Sequence, residues 1–359
     1  MNKYEIILLD NSTEFYEDFK QYYRRAEEMQ KKSLGLPYKE INDPLMENVH
    51  IYNCTLRKNA GFSNMLEDIW KGNNNTKTYP GAELPGILPM EKKDFDIYTW
   101  HYLFLVHRIT GSGASFEPDH GYRNTIIPDL VKLEDWIEMI KYIKHVAKPI
   151  FTSKGNQIPP FNKPSHPYEK GGIEYLVEIA PIIACTYVDW LRDAKNLNPN
   201  KSKTIQEAVD FVVNFQSTLG WKKFHFVLTA FVMDTAEYFP DLVDPSSHCY
   251  YGSNALEAMD LLFGPWEKGM TIPKKVRYDM LMDSLCQVCR KPDGSKSDPY
   301  SMEDVLCDYI RYVENYVPKW YMDNFEYDKL VNNSLIKNHE PNWLKIKYTK
   351  ILNEGLFDA

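Results

Sequence analysis

The densest run of reactive side chains in this sequence is His107-Arg-Ile-Thr-Gly-Ser-Gly-Ala-Ser-Phe116, followed closely by Asp119-His-Gly-Tyr-Arg-Asn124. Gly111, Ser112, Gly113, Ala114 and Ser115 are all small. Closely spaced glycines let backbone N–H groups converge with no Cβ between them, and two serine hydroxyls add donors, so this stretch can wrap an anion. Arg108 at its lip offers a bidentate contact to phosphate or carboxylate. A helix ending on glycine with a polar turn would look similar; the arginine, two serines, His120 and Asn124 nearby favour the anion cradle. No Gly-Lys-Ser/Thr opens a helix here, so the segment is not a Walker loop.

A second cluster is Phe224-His-Phe-Val-Leu-Thr-Ala-Phe-Val-Met-Asp234, running on to Phe239-Pro240. Asp234 sits in a strongly apolar helical pattern. Buried without a partner its carboxyl would have a raised pKa, which suits a general base; facing solvent or capping a neighbouring helix it would have no such role. Further on, Tyr251-Gly252 makes a turn into a helix beginning at Ser253 or Asn254. The free N–H groups and positive dipole end there can hold a phosphate, although Ser or Asn as a plain cap is the commoner case. Cys286-Gln-Val-Cys289 has the spacing of half a zinc site, but no second Cys/His pair follows, and two cysteines so placed on a helix pack inward. No metal site is expected, and no cofactor, although a divalent metal could assist an anionic leaving group.

These residues must be held by helices. Apolar residues recur near every 3.6 positions over 13–32, 95–109, 133–147, 173–194, 204–217, 221–238, 253–263, 273–289, 301–316 and 341–353. Alternating patterns are scarce, Val49–Thr55 being the best. Gly, Asn and Pro concentrate in 71–94, 149–172 and 290–299, which read as long loops. The expected class is mainly α, a multi-helix fold with long loops and few short strands, divided into 1–94, 95–265 and 266–359.

The chain has 359 residues, enough for a large core. Six irregularly spaced cysteines suit a reducing interior, and the N-terminus carries only a short apolar run, so a cytoplasmic protein without a membrane span is expected. The formal charge of -8 weighs against non-specific coating of nucleic acid. A DNA contact would need a local basic face. Lys132, Lys141, Lys144, Lys148, Lys154 and Lys163 supply one beside the cradle segment, with Lys141, Lys144 and Lys148 on one side of a helical pattern.

The Arg-x-Thr-Gly-Ser-Gly segment at 108–113, Asp-His-Gly-Tyr-x-Asn at 119–124, Asp-x-x-x-x-Phe-Pro at 234–240 and Tyr-Gly-x-Asn-Ala at 251–255 together resemble a phage family. That family is the amino acid:DNA transferases of thymine hypermodification, also called α-glutamyl/putrescinyl-thymine pyrophosphorylases, and it is similar to helix-hairpin-helix DNA glycosylases. The likeness covers about 95–265. The glycosylase hairpin reads Leu-Pro-Gly-x-Gly, whereas Cys249–Ala255 keeps one glycine, Gly252.

The resemblance implies a glycosylase-like core acting on DNA that carries kinase-phosphorylated 5-hydroxymethyluracil. A free amino acid or polyamine displaces pyrophosphate and leaves a C–N bond on the base. It further implies that Arg108, Gly111, Ser112, Gly113 and Ser115 neutralise the leaving group, that Asp234 or His120 takes the amine proton, and that Asn124 or Asn254 reads an extruded uracil. Two other readings remain open at this point: a glycosylase-like DNA-binding or repair protein without transfer, and a helical enzyme acting on a phosphorylated small molecule.

Overall fold

The computed structural model describes residues 12–33, 36–41, 70, 95–109, 175–221, 225–291 and 294–313. Among them 69% are helical and 4% are in strands, with eight helices and one two-stranded sheet, so the fold is mainly α as the apolar period requires. The chain divides into two compact units, one formed by Met1–Ala60 with Tyr250–Ala359 and the other by Gly61–Cys249. The Tyr-Gly-x-Asn-Ala segment at 251–255, grouped by sequence with 95–265, therefore clusters with Met1–Ala60 and the rest of Tyr250–Ala359. The expected helices over 133–147 and 341–353 and the strand at 49–55 lie outside the described residues.

The Gly61–Cys249 unit is built on helices α2 (Ile97–Ile109), α3 (Ala180–Leu197), α4 (Ile205–Thr218) and α5 (His225–Tyr238). A single π turn, Tyr175–Ile179, leads into α3. α2 packs against α3 and α5, and α5 packs against α4. α5 is buried from Val227 to Ala236 without a break, and α2 from Trp100 through Leu105. Helices apolar all round belong at the centre of a bundle, which is where these two lie. α4 starts in a capping box, with the Thr204 hydroxyl accepting from the Glu207 N–H and Glu207 accepting from the Thr204 N–H. It ends where Gly220 takes φ +84°, the Gly220 N–H reaching Ser217 and the Trp221 N–H reaching Gln216. That left-handed turn closes the last carbonyls and favours glycine.

Strands β1 (Lys203–Thr204) and β2 (Val243–Asp244) pair in parallel, Lys203 with Val243 and Thr204 with Asp244. The pairing pins the loop before α4 to the loop after α5. Sequence periodicity gives no sign of it, since two residues per strand carry no alternation.

The other unit holds α1 (Glu14–Ser33), α6 (Ser253–Phe263), α7 (Lys274–Val288) and α8 (Pro299–Val313) around one apolar cluster that includes Phe19, Tyr22, Leu262, Leu285 and Tyr309. α6 packs on α1, α7 and α8. Thr13 ties the start of α1 to the end of α6, its N–H donating to the Leu262 carbonyl at 2.7 Å and its hydroxyl to Leu261 at 2.7 Å. Arg277 closes the C-terminal end of α6. Its Nη2 donates to the carbonyls of Phe263 at 3.2 Å and Gly264 at 2.5 Å, while Nη1 reaches Asp260 at 3.4 Å. A cation at these last carbonyls also complements the helix dipole.

Candidate functional site

Arg108 lies in the last turn of α2 and Asp234 one turn before the end of α5, and the packing of these helices brings their side chains together. Arg108 Nε donates to Asp234 Oδ2 at 2.6 Å, and Nη2 donates to Oδ1. The side chains are 1% and 2% exposed. This is the fork-on-carboxylate geometry that only arginine makes. Burying each ion alone would cost several kcal/mol, so each is tolerable there because the other is present. Asp234 is thus buried, as its apolar setting suggests, but it is not an unpaired carboxylate: both oxygens accept from Arg108.

Two turns before Arg108 on α2 is His101, completely buried. Its Nδ1–H donates to the Ile97 carbonyl at 2.7 Å, which fixes the tautomer and leaves the lone pair on Nε2. Nε2 has no hydrogen-bond partner among the described residues. The rings of Phe104, Tyr187, Phe231 and Phe239 surround the imidazole at centroid distances of 5.0 to 6.2 Å. Removal from water drives its pKa down to about 4. The same burial pushes the Tyr187 phenol well above its ordinary value. Trp70 completes this aromatic wall, its indole meeting Trp100, Tyr238 and Phe239 at 4.7 to 5.4 Å. Sequence reasoning passed over His101. Its spacing of seven residues from Arg108, on a helix otherwise apolar, was the available signal.

The start of α6 was expected to hold a phosphate through Gly252 and Asn254. In the structure the Gly252 N–H is donated to an internal carboxylate. Glu303 of α8, 5% exposed, accepts from the Gly252 N–H at 2.9 Å, and the Cys307 thiol donates to the same oxygen at 3.4 Å. A Cβ on Gly252 would stand 3.0 Å from Glu303 Oε1, so glycine is what lets the carboxylate approach. Asn254 sits half-buried in the first turn of α6.

Gly111, Ser112, Gly113, Ser115, His120, Asn124, Lys141, Lys144 and Lys148 lie outside the described residues. Cys286 and Cys289 are buried free thiols, and burial raises both, Cys289 to about 12. Neither is a thiolate near neutral pH. Among the described residues no group of three His, Cys, Asp or Glu side chains could hold a metal ion, and no helix is long and apolar enough to cross a membrane. Comparisons with protein-family models, with curated proteins and with solved structures gave no match.

Proposed function

We propose that the chain is a DNA base hypermodification transferase with a glycosylase-like helical core, acting in the cytoplasm on phage DNA. The observation that carries this reading is the Arg108–Asp234 pair: it joins two of the motifs on which the family resemblance rests, 108–113 and 234–240, through buried side chains.

The substrate is 5-hydroxymethyluracil in DNA whose exocyclic oxygen carries a diphosphate group installed by kinase activation. The amine of a free amino acid or polyamine attacks the exocyclic methylene carbon, the C–N bond forms, the C–O bond breaks, and pyrophosphate departs with the bonding pair. The amine proton passes to a base. With both Asp234 oxygens accepting from Arg108, His120 takes that role and Asp234 becomes a positioning residue, fixing the guanidinium beside the 111–115 cradle. Gly111, Ser112, Gly113 and Ser115 then supply N–H and hydroxyl donors to the leaving group, Asn124 reads the uracil edge, and Lys141, Lys144 and Lys148 contact the DNA backbone.

The test is incubation of the full chain with activated 5-hydroxymethyluracil DNA and a mixture of amino acids and polyamines, followed by nucleoside digestion and mass analysis. A new amine-bearing thymidine derivative, lost in Ser112→Ala with His120→Ala, is the expected result. Binding of the DNA with no new nucleoside under any amine, with or without added magnesium, removes the transferase reading.

A further inference from the structure

The last two turns of α3 carry a polar and aromatic stripe, Trp190, Asp193, Ala194 and Leu197, at helical spacing. Together with Asn198, Lys201 and Lys203 of the following loop it lines a solvent-facing hollow of about 390 Å³. Such a volume falls within the range of small-ligand sites, roughly 300 to 1,000 Å³. Backbone hydrogen bonds tie the hollow's loop in place. The Asn198 N–H closes on Ala194, the Lys201 N–H on Asn198, and the Lys203 N–H on Leu242. The Ser202 hydroxyl lies against the carbonyls of Pro240 and Asp241 at 3.2 and 3.1 Å.

Trp190 belongs to a cluster of stacked rings, with Tyr187 beside it at 6.2 Å and a 22° tilt. Phe211 stacks on Trp190 at 4.3 Å with an 8° tilt, and Phe215 stacks on Phe211 at 6.2 Å with a 6° tilt. Lys203 Nζ lies over the indole at 5.1 Å, and both side chains line the hollow. Lys203 is also 3.8 Å from Glu207, too long for a strong pair on an exposed site. No hydrogen bond or ion pair among the described residues holds the Asp193 carboxylate or the Lys201 ammonium. Leu197, at 88% exposed, leaves an apolar rim in water.

We propose that this hollow binds a nucleobase bearing a phosphate. A planar ring entering the hollow stacks on the Trp190 indole, which is how aromatic side chains take up unpaired bases irrespective of sequence. Lys203 slides from the indole to the phosphate and Lys201 joins it; an ammonium gains more from a phosphate than from a ring. Asp193 accepts from N–H groups on the base edge, and the Asn198 amide can donate or accept there. The bearer is either a free nucleotide or an unpaired nucleotide of a strand. The site stands apart from the transferase reading, which could fail without affecting it.

The test uses the full-length chain with two probes: the four deoxynucleoside 5′-monophosphates by calorimetry, and a short fluorescein-labelled single-stranded oligonucleotide by anisotropy. Saturable binding is expected, weakened about tenfold by Trp190→Ala and by Lys201→Glu, with a shallower salt dependence in the second. Binding of both probes identifies a mononucleotide site; binding of the oligonucleotide alone identifies a strand site. Lys201→Glu changes only a surface charge and keeps the test valid where Trp190→Ala fails to fold. No saturable binding of either probe overturns the proposal, and so does binding by Lys201→Glu equal to wild type.

Discussion

Arg108 and Asp234 are 126 positions apart in the chain, yet Arg108 Nε stands 2.6 Å from Asp234 Oδ2 inside a helix bundle. The pair couples α2 and α5 near their C-terminal ends. It demands that both helices sit at one depth and one rotation, because a bidentate fork tolerates little displacement.

Removing one partner takes from the other its bidentate counter-ion in an apolar core. Asp234→Asn and Arg108→Met should each destabilise the Gly61–Cys249 unit by about 3 to 5 kcal/mol. The double replacement Arg108→Met with Asp234→Leu should cost less than either single change, since no buried ion remains. Urea denaturation followed by fluorescence of the tryptophans measures this; a double variant as unstable as the sum of the singles would contradict it.

His101 makes stability depend on pH. Its imidazole is held neutral in the fold with a pKa of about 4, against 6.5 for the unfolded chain, so the unfolded state binds the proton more readily. Its full contribution is present above about pH 6.5 and is lost as pH falls toward 4, a span worth about 3 kcal/mol. His101→Phe removes this dependence. The difference in unfolding free energy between the two proteins should change steadily between pH 7 and pH 4.5, and parallel pH curves would show that His101 is not the group responsible.

Glu303 and Gly252 make a long-range cap. Gly252→Ala presses a Cβ against the carboxylate oxygen, and Glu303→Ala leaves the Gly252 N–H without this acceptor; each should cost about 1 to 2 kcal/mol. Glu303→Gln keeps an acceptor and should cost less. Thermal melts rank the three, and the order fails if Glu303→Gln is the most damaging.

Arg277→Ala strips the last carbonyls of α6 of two charge-assisted hydrogen bonds, a loss of about 2 to 3 kcal/mol. Arg277→Lys should recover little of it, because one ammonium cannot reach both carbonyls and Asp260 together. Hydrogen exchange at Leu261 and Leu262 would report fraying of α6 in both variants.

The helices were readable because burial leaves a plain record in composition. α2 and α5 show almost no polar face, and Thr204 followed three residues later by Glu207 marks the helix start at Ile205. Asp234 stood out for the same reason, as a lone carboxylate in an apolar run. What faces it is not legible, since it lies 126 positions from its partner. Glu303 at Gly252 and the parallel pairing of Lys203 with Val243 are tertiary in the same way. His101 gives a weaker signal than Asp234, because a neutral imidazole with one nitrogen bonded to the backbone sits in a buried helix at far less cost than a carboxylate.

The hydrogen bond from Thr13 to Leu261 spans 248 residues, and everything in the Gly61–Cys249 unit is encoded between its ends. On a ribosome adding about 5 to 20 residues per second, α1 emerges at least ten seconds before the helix it packs against exists. Its apolar face, with Phe15, Phe19 and Tyr22, has to remain uncommitted over that interval. The inserted unit has all its own partners in hand first. Order of synthesis therefore sets an order of maturation, with the inserted bundle early and the unit built from both ends of the chain last, and makes α1 the segment for which a chaperone would have the most time to bind.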